Sequence, residues 1–320
     1  MEKFSLFFRN LQQELKLLLF FTTLFTLFRI VFISIYSYQL EDGSYREVIL
    51  CLWYGLRLSL KTTGIIVLIS AVFATLPQLL FTKWPSDLLR KVISSLSVVL
   101  FTVLFFARVP YYKIFNSGFN IMLINGMYDD ISAIIDTAVN EYQLLWRLPA
   151  AIICGIILAW ILCKFLDTRT YKIKFISKNK RWLYSFGIII FLTIFWIFVR
   201  YGGAFSYAKS VNWENAERLK SNLLNEAILD DGQSLYRVKS IAGKIKKINN
   251  VEISADALRQ KIELLGGNPS AGNIDEAFKK VVAVPKLQQP PGNVVLIIGE
   301  SYALWPFGIS NKGTKFAQYA

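Results

Sequence analysis

Before Tyr201 the chain alternates long apolar runs with short charged gaps. A bilayer core of about 30 Å calls for roughly 20 apolar residues per helix. Five segments come close: Leu17–Tyr38, Thr62–Phe81 with a lead-in from Ile49, Val92–Val109, Pro149–Phe165 and Leu183–Arg200. Their periodicity leaves no polar face, which argues against a soluble helical bundle. The first run is too long for a signal peptide, and no small-residue cleavage site follows it. After Tyr201 the pattern changes. Gly202-Gly203 ends the fifth helix. The spacing then predicts an amphipathic helix over Asn212–Asp231, stopped by Asp231-Gly232, and a second over Ser234–Ile248. A third is predicted over Ser254–Leu265, with Ser254 as N-cap and Gly266-Gly267 as its stop. These basic helices suit either a membrane surface or packing against the rest of a domain. Residues 266–272 form a turn-rich break and 285–291 a stiff linker. The run Val294–Ile298 follows and reads as a parallel strand buried on both faces.

Composition agrees with the apolar pattern. Hydrophobic residues make up 54% of the chain and mean hydropathy is +0.42, above what a soluble domain carries. The net charge of +14 lies mainly in alternate gaps. The N-terminal tail (Lys3, Arg9, Lys16), the second loop (Lys83, Arg90, Lys91) and the fourth loop (Lys164 to Arg181) are basic, and the first and third are acidic. Lysine and arginine stay cytoplasmic during insertion. The N-terminus is therefore expected inside and everything after Tyr201 outside. The positive balance reads as topology and contact with anionic headgroups rather than nucleic-acid binding. Cys51, Cys154 and Cys163 lie in or beside apolar runs, without metal or disulfide spacing.

Four cations fall within or at the ends of the apolar runs. Arg57, Lys61 and Arg108 suit snorkelling to an interface. Arg29 is deeper, and is read either as a buried structural partner or as a lipid contact. In the long loop 111–148, Ile131–Val139 has a short helical pattern, and the tyrosines with Trp146 fit an interfacial aromatic belt.

The candidate chemistry sits in Asn293-Val-Val-Leu-Ile-Ile-Gly-Glu-Ser301. Ligand sites of open α/β sheets lie at the carboxyl ends of their strands. There Gly299 permits a sharp turn and Glu300 places a carboxylate suited to Mg²⁺, Mn²⁺ or Zn²⁺. Standing alone, such a carboxylate is more often a solvated loop residue. Ser301 is no esterase nucleophile, because position 303 is Ala and the chain has no histidine.

This stretch, after five apolar helices and a helical linker, resembles the extracytoplasmic phosphotransferases of the alkaline phosphatase superfamily. Those include lipoteichoic acid synthases and phosphoethanolamine transferases, whose soluble part has the sulfatase fold. The resemblance implies that Glu300 is a ligand of a catalytic divalent metal. It also implies a threonine nucleophile and further Asp and His ligands beyond residue 320; Thr314 stands too close to Glu300 for that role. The expected organisation is mainly α: a cytoplasmic tail (1–16), a five-helix transmembrane domain (17–201), an extracytoplasmic helical linker (202–290) and the first strand of an α/β sulfatase-like domain (291–320), cut short. The expected activity is metal-dependent transfer of a phospho-alcohol group from membrane phospholipid to a glycan or lipid acceptor outside the cell membrane, with most of the catalytic domain missing here. The alternatives are a sulfatase or phosphatase type of hydrolase, and a non-enzymatic membrane module.

Overall fold

The structure is a computed structural model and describes residues 2–41, 43–81, 83–126, 131–171, 181–249 and 255–278. The expected strand Val294–Ile298 and Ser254 lie outside these residues. Among the described residues the secondary structure is helical. The chain divides into two compact units, Met1–Asn250 and Val251–Ala320.

In the first unit, α1 spans Glu2–Ile35 and α2 spans Tyr45–Ser70. The α2 axis continues through a π-helical turn, Ala71–Thr75, into α3, Leu76–Leu80. Next come α4 (Ser86–Phe115), α5 (Met122–Asn125), α6 (Ile131–Asn140), α7 (Leu144–Leu166) and α8 (Arg181–Arg200). Among the described residues four stretches are long and apolar enough to cross a membrane: Ser5–Ile35, Tyr45–Gln78, Ser86–Phe115 and Leu144–Leu166. Their flanks leave Leu19, Leu27, Leu100, Ile156 and Trp160 exposed, as lipid-facing residues would be. The fifth apolar run is helical in α8, whose described apolar part, Phe186–Arg200, is shorter.

The helices run further than the apolar runs alone suggest. α1 passes straight through the expected boundary at residue 16, so residues 2–16 are its first turns, with Asn10, Gln13 and Glu14 buried. α4 continues past Pro110 to Phe115.

Neighbouring helices alternate in direction. Glu14 of α1 meets Ser70 of α2 and Arg90 of α4 at one end of the bundle. Arg29 meets Ser59 towards the other. α7 runs against α4, with Ser95 beside Cys163. α8 runs against α2, with Val199 over Gly64 and Gly202 against Arg57. Between the two ends lies an apolar core of Leu17, Phe21, Phe25, Ile66, Val98 and Leu162.

Beyond α8 the chain reverses at Gly202 and Gly203, both at positive φ (61° and 72°), where a side chain would be strained. The expected single helix over Asn212–Asp231 does not form. A 3₁₀ turn at Trp213–Asn215 and an irregular stretch precede a short α9, Asn222–Ile228. Asp231-Gly232 does not end a helix but opens α10, Asp231–Asn249. The reason is local. Asn212 and Asn215 exchange side-chain and backbone bonds that close the 3₁₀ turn. Asp230 accepts the Gln233 N–H at 2.9 Å and caps α10.

The second unit is described over α11, Ala255–Leu264, and α12, Ile274–Ala277. Gly266, at φ 79°, stops α11 as expected, and the Asn268 N–H donates to the Ala277 carbonyl at 2.8 Å.

α4 and α7 pack closely because Gly155 has no side chain: a Cβ there would lie 3.0 Å from the Val99 Cα. Gly155→Leu is expected to push these helices apart at a cost of about 1–3 kcal/mol. The readout is a lower melting temperature in detergent; an unchanged value would contradict the packing.

Candidate functional site

The polar centre of the first unit lies where the segment after α8 enters the bundle. Leu223, Leu224, Ala227, Ile228 and Leu229 bury against Phe32, Ile33, Cys51, Leu58, Phe105 and Tyr112 of the membrane helices. Helix α9 is therefore a wedge between α1, α2 and α4. The last carbonyls of any helix lack intrahelical partners, and in an apolar setting each must find a donor.

Two arginines supply those donors. Arg29 Nε donates to the Ala227 carbonyl at 2.8 Å. Its Nη2 donates to the Ile228 carbonyl at 3.2 Å and to Ser59 Oγ at 2.8 Å. Arg108 Nη2 donates to the Glu226 carbonyl at 2.6 Å, and Nη1 to the Leu229 carbonyl at 2.8 Å. Both are 3% exposed. Two positive charges at a helix C-terminus also match its partial negative charge. The Arg108 guanidinium lies 4.4 Å from the Phe32 ring centroid, a cation–π contact. Arg29 fits because α2 offers Gly55 opposite it; any Cβ there would overlap the guanidinium.

The other two cations bind the same segment. Arg57 Nε donates to the Gly202 carbonyl at 2.9 Å, and its Nη2 to the Lys209 carbonyl at 2.7 Å. Lys61 donates to Asn212 Oδ1. Arg108, expected to snorkel, is instead buried, and Arg57, Lys61 and Arg108 all bond directly to residues 202–229. Of the two readings of Arg29, the structure supports the buried partner.

Carboxylates complete the clamp. Glu226 accepts from both Nη atoms of Arg237 in α10, at 3.0 and 2.9 Å, and from the Gly118 N–H at 2.8 Å. Burial pushes its pKa up, but Arg237, that N–H and the Arg108 charge outweigh it and hold the carboxyl below its usual range. Asp230 accepts from Thr62 Oγ1 at 2.8 Å. Asp231 lies 3.5 Å from Arg108. Burial, with Asp230 adding to it, lifts Asp231 to about 6 against the pull of Arg108.

Sequence reasoning singled out the four cations but not their partners, because Glu226, Asp230, Asp231 and Arg237 sit in a segment that reads as ordinary linker. It also missed a second polar cluster. Arg90 and Glu14, 1% and 6% exposed, pair at 3.1 Å. Glu14 Oε1 also accepts from Ser70 at 3.0 Å and Thr75 at 2.7 Å. In an ordinary helix residues five apart point about 140° apart; the wide π turn between Ser70 and Thr75 lets both reach one carboxylate. A signal was present in α4: Ser86, Arg90, Ser94, Val98, Thr102, Phe105, Arg108 and Tyr112 recur every three or four residues and are buried.

Glu300, the expected metal ligand, lies outside the described residues. Among the described residues no group of His, Cys, Asp or Glu side chains could hold a metal ion. Comparison with protein-family models, curated proteins and solved structures gives no match.

Arg29→Met removes the donors but keeps most of the volume, leaving buried carbonyls unpaired. A loss of about 1–3 kcal/mol is expected for each carbonyl left buried and unpaired. Trypsin should then cut after the exposed Arg218 or Lys220 at least about tenfold faster, since 1.4 kcal/mol of local opening is already tenfold. An unchanged cleavage rate would show that the clamp does not hold the wedge.

The pKa of Asp231 is raised above its unfolded value of about 3.9. Its protonated form therefore stabilises the fold at low pH, and that contribution is lost as pH rises from about 4 to about 6. Asp231→Asn is expected to gain on the wild type over that window, by up to about 3 kcal/mol. A difference in detergent melting temperature that stays flat from pH 4 to pH 7 would contradict this.

Proposed function

We propose that the chain is the membrane part and positioning arm of an extracytoplasmic, metal-dependent phosphotransferase. It would move a phospho-alcohol group, of phosphoglycerol or phosphoethanolamine type, from a phospholipid to a glycan or lipid acceptor outside the cell membrane. In this reading α8 is the fifth crossing, the N-terminus is cytoplasmic and residues after Tyr201 are outside. The observation that carries the reading is the Asn293–Ser301 stretch, with Glu300 at the carboxyl end of its apolar run.

The clamped segment supports it. A transferase acting on a lipid must hold its reacting groups at a fixed height above the bilayer. Arg29, Arg57, Lys61 and Arg108 tie the first turns after the membrane to the bundle and so provide such a fixed base. Glu300 would be one ligand of a divalent metal, whose role would be to stabilise charge on the phosphoryl oxygens. With one such ligand and no histidine, the 320 residues are expected to be inactive by themselves.

A second reading is a non-enzymatic membrane module. It is favoured by the compactness of residues 1–250, whose clamp is complete without the second unit.

Sequencing beyond codon 320 separates the two readings. An in-frame continuation with a threonine, an Asp-His pair and a further His supports the transferase, and unrelated sequence favours the module. With such a continuation, membranes should transfer label from a headgroup-labelled phospholipid, and Glu300→Ala should lower the rate at least about 100-fold, as loss of a catalytic charge-stabilising group does. Retained transfer in that variant would remove Glu300 from the site. Orientation has its own test. In a cysteine-free background, Lys209→Cys should react with an impermeant maleimide on intact cells, and Lys83→Cys only after lysis.

A further inference from the structure

A cleft of about 340 Å³ opens at the Glu14–Arg90 end of the bundle, between α1, the start of α4 and the chain leaving α7. Its outer wall is a strap, residues 167–171. Gln12 fixes the strap by pairing with both backbone groups of Tyr171: the Tyr171 N–H donates to Gln12 Oε1 at 2.6 Å, and Gln12 Nε2 donates to the Tyr171 carbonyl at 2.9 Å. Lys16 adds a bond to the Thr168 carbonyl at 2.8 Å. The cleft is thus built, not left over between loose loops.

Its lining is charged and unevenly neutralised. Arg9 and Arg90 pair with Asp87, and Lys91 pairs with Asp167 at 2.6 Å. Arg169, on the strap, has no hydrogen-bond or ion-pair partner among the described residues. At the back of the cleft Gln13 is 7% exposed. Its Nε2 donates to the Leu166 carbonyl at 3.2 Å, which fixes the amide, but its Oε1 is buried without a partner. A buried acceptor left unpaired costs about 1–3 kcal/mol. The cleft therefore offers a free cation at its mouth and a free acceptor at its back.

We infer that this cleft binds a phosphate ester carrying its own hydrogen-bond donor, a hydroxyl or an ammonium group. The phosphate sits against Arg169, with Arg9 and Lys91 on the adjoining wall. The donor reaches Gln13 Oε1. Two sources share this chemistry: the headgroup of a phospholipid in the leaflet that this end of the bundle meets, and a soluble polyol phosphate. The site lies at the opposite end of α1 from the wedge and stands independently of the transferase reading.

The experiment uses the full chain purified in detergent. Binding of four probes is followed by melting temperature and by native mass spectrometry: short-chain phosphatidylglycerol, short-chain phosphatidylethanolamine, short-chain phosphatidylcholine and glycerol phosphate. Glycerol or ethanolamine headgroups should stabilise the protein more than choline, whose quaternary nitrogen has no N–H to give. Arg169→Ala, an exposed change that leaves the fold intact, should weaken binding at least about fivefold. Gln13→Met should remove the preference over choline. Equal response to glycerol phosphate assigns a soluble ester, and response to the lipids alone assigns the leaflet. Equal stabilisation by choline lipid, or affinity unchanged in Arg169→Ala, overturns the proposal.

Discussion

The fold depends on one constraint: a guanidinium inside an apolar bundle must find acceptors for its N–H groups. Arg29 and Arg108 cannot leave their helices, so the chain brings acceptors to them. The acceptors are the end carbonyls of α9, groups that would themselves be costly to bury unpaired. Each side solves the other's problem, and neither arrangement is stable alone. This explains why the segment after α8 turns back into the bundle rather than running away from it. It also explains why residues up to 250 belong with the membrane helices.

The same economy appears at the other end. Glu14 and Arg90 are mutual partners; Ser70 and Thr75 donate to Glu14 Oε1, and Arg90 donates to Asn10 Oδ1. The π turn is what permits that geometry. Between the two polar ends the core is apolar and aromatic, with Phe25 edge-on to Phe101 at 5.0 Å and Phe28 stacked on Phe105 at 4.5 Å. The bundle is specified by polar groups at its ends and filled by packing in its middle.

The apolar runs were legible because hydropathy over 20 residues is a strong signal, and the helices are where those runs lie. The ends were less legible. Residues 2–16 mix charge with leucine and phenylalanine and so read as a tail, yet Asn10, Gln13 and Glu14 point inward. The region 212–231 has the apolar spacing of one helix, but the Asn212–Asn215 turn and the Asp230 cap divide it. Those are local polar choices that a 3.6-residue period does not register. The intramembrane cations were visible as anomalies. Their partners were not, because Arg29 and the Ala227 carbonyl are 198 positions apart, and a backbone carbonyl has no signature in sequence.

The two polar ends also bear on motion. Glu14 and Arg29 are 15 residues apart on α1, about 22 Å along its axis. Both tie α1 to α2, and Arg90 with Arg108 ties α4 into the same two knots. Sliding any one of these helices by a turn, about 5.4 Å, would have to break both knots at once. These three helices therefore form a stator that resists piston movement.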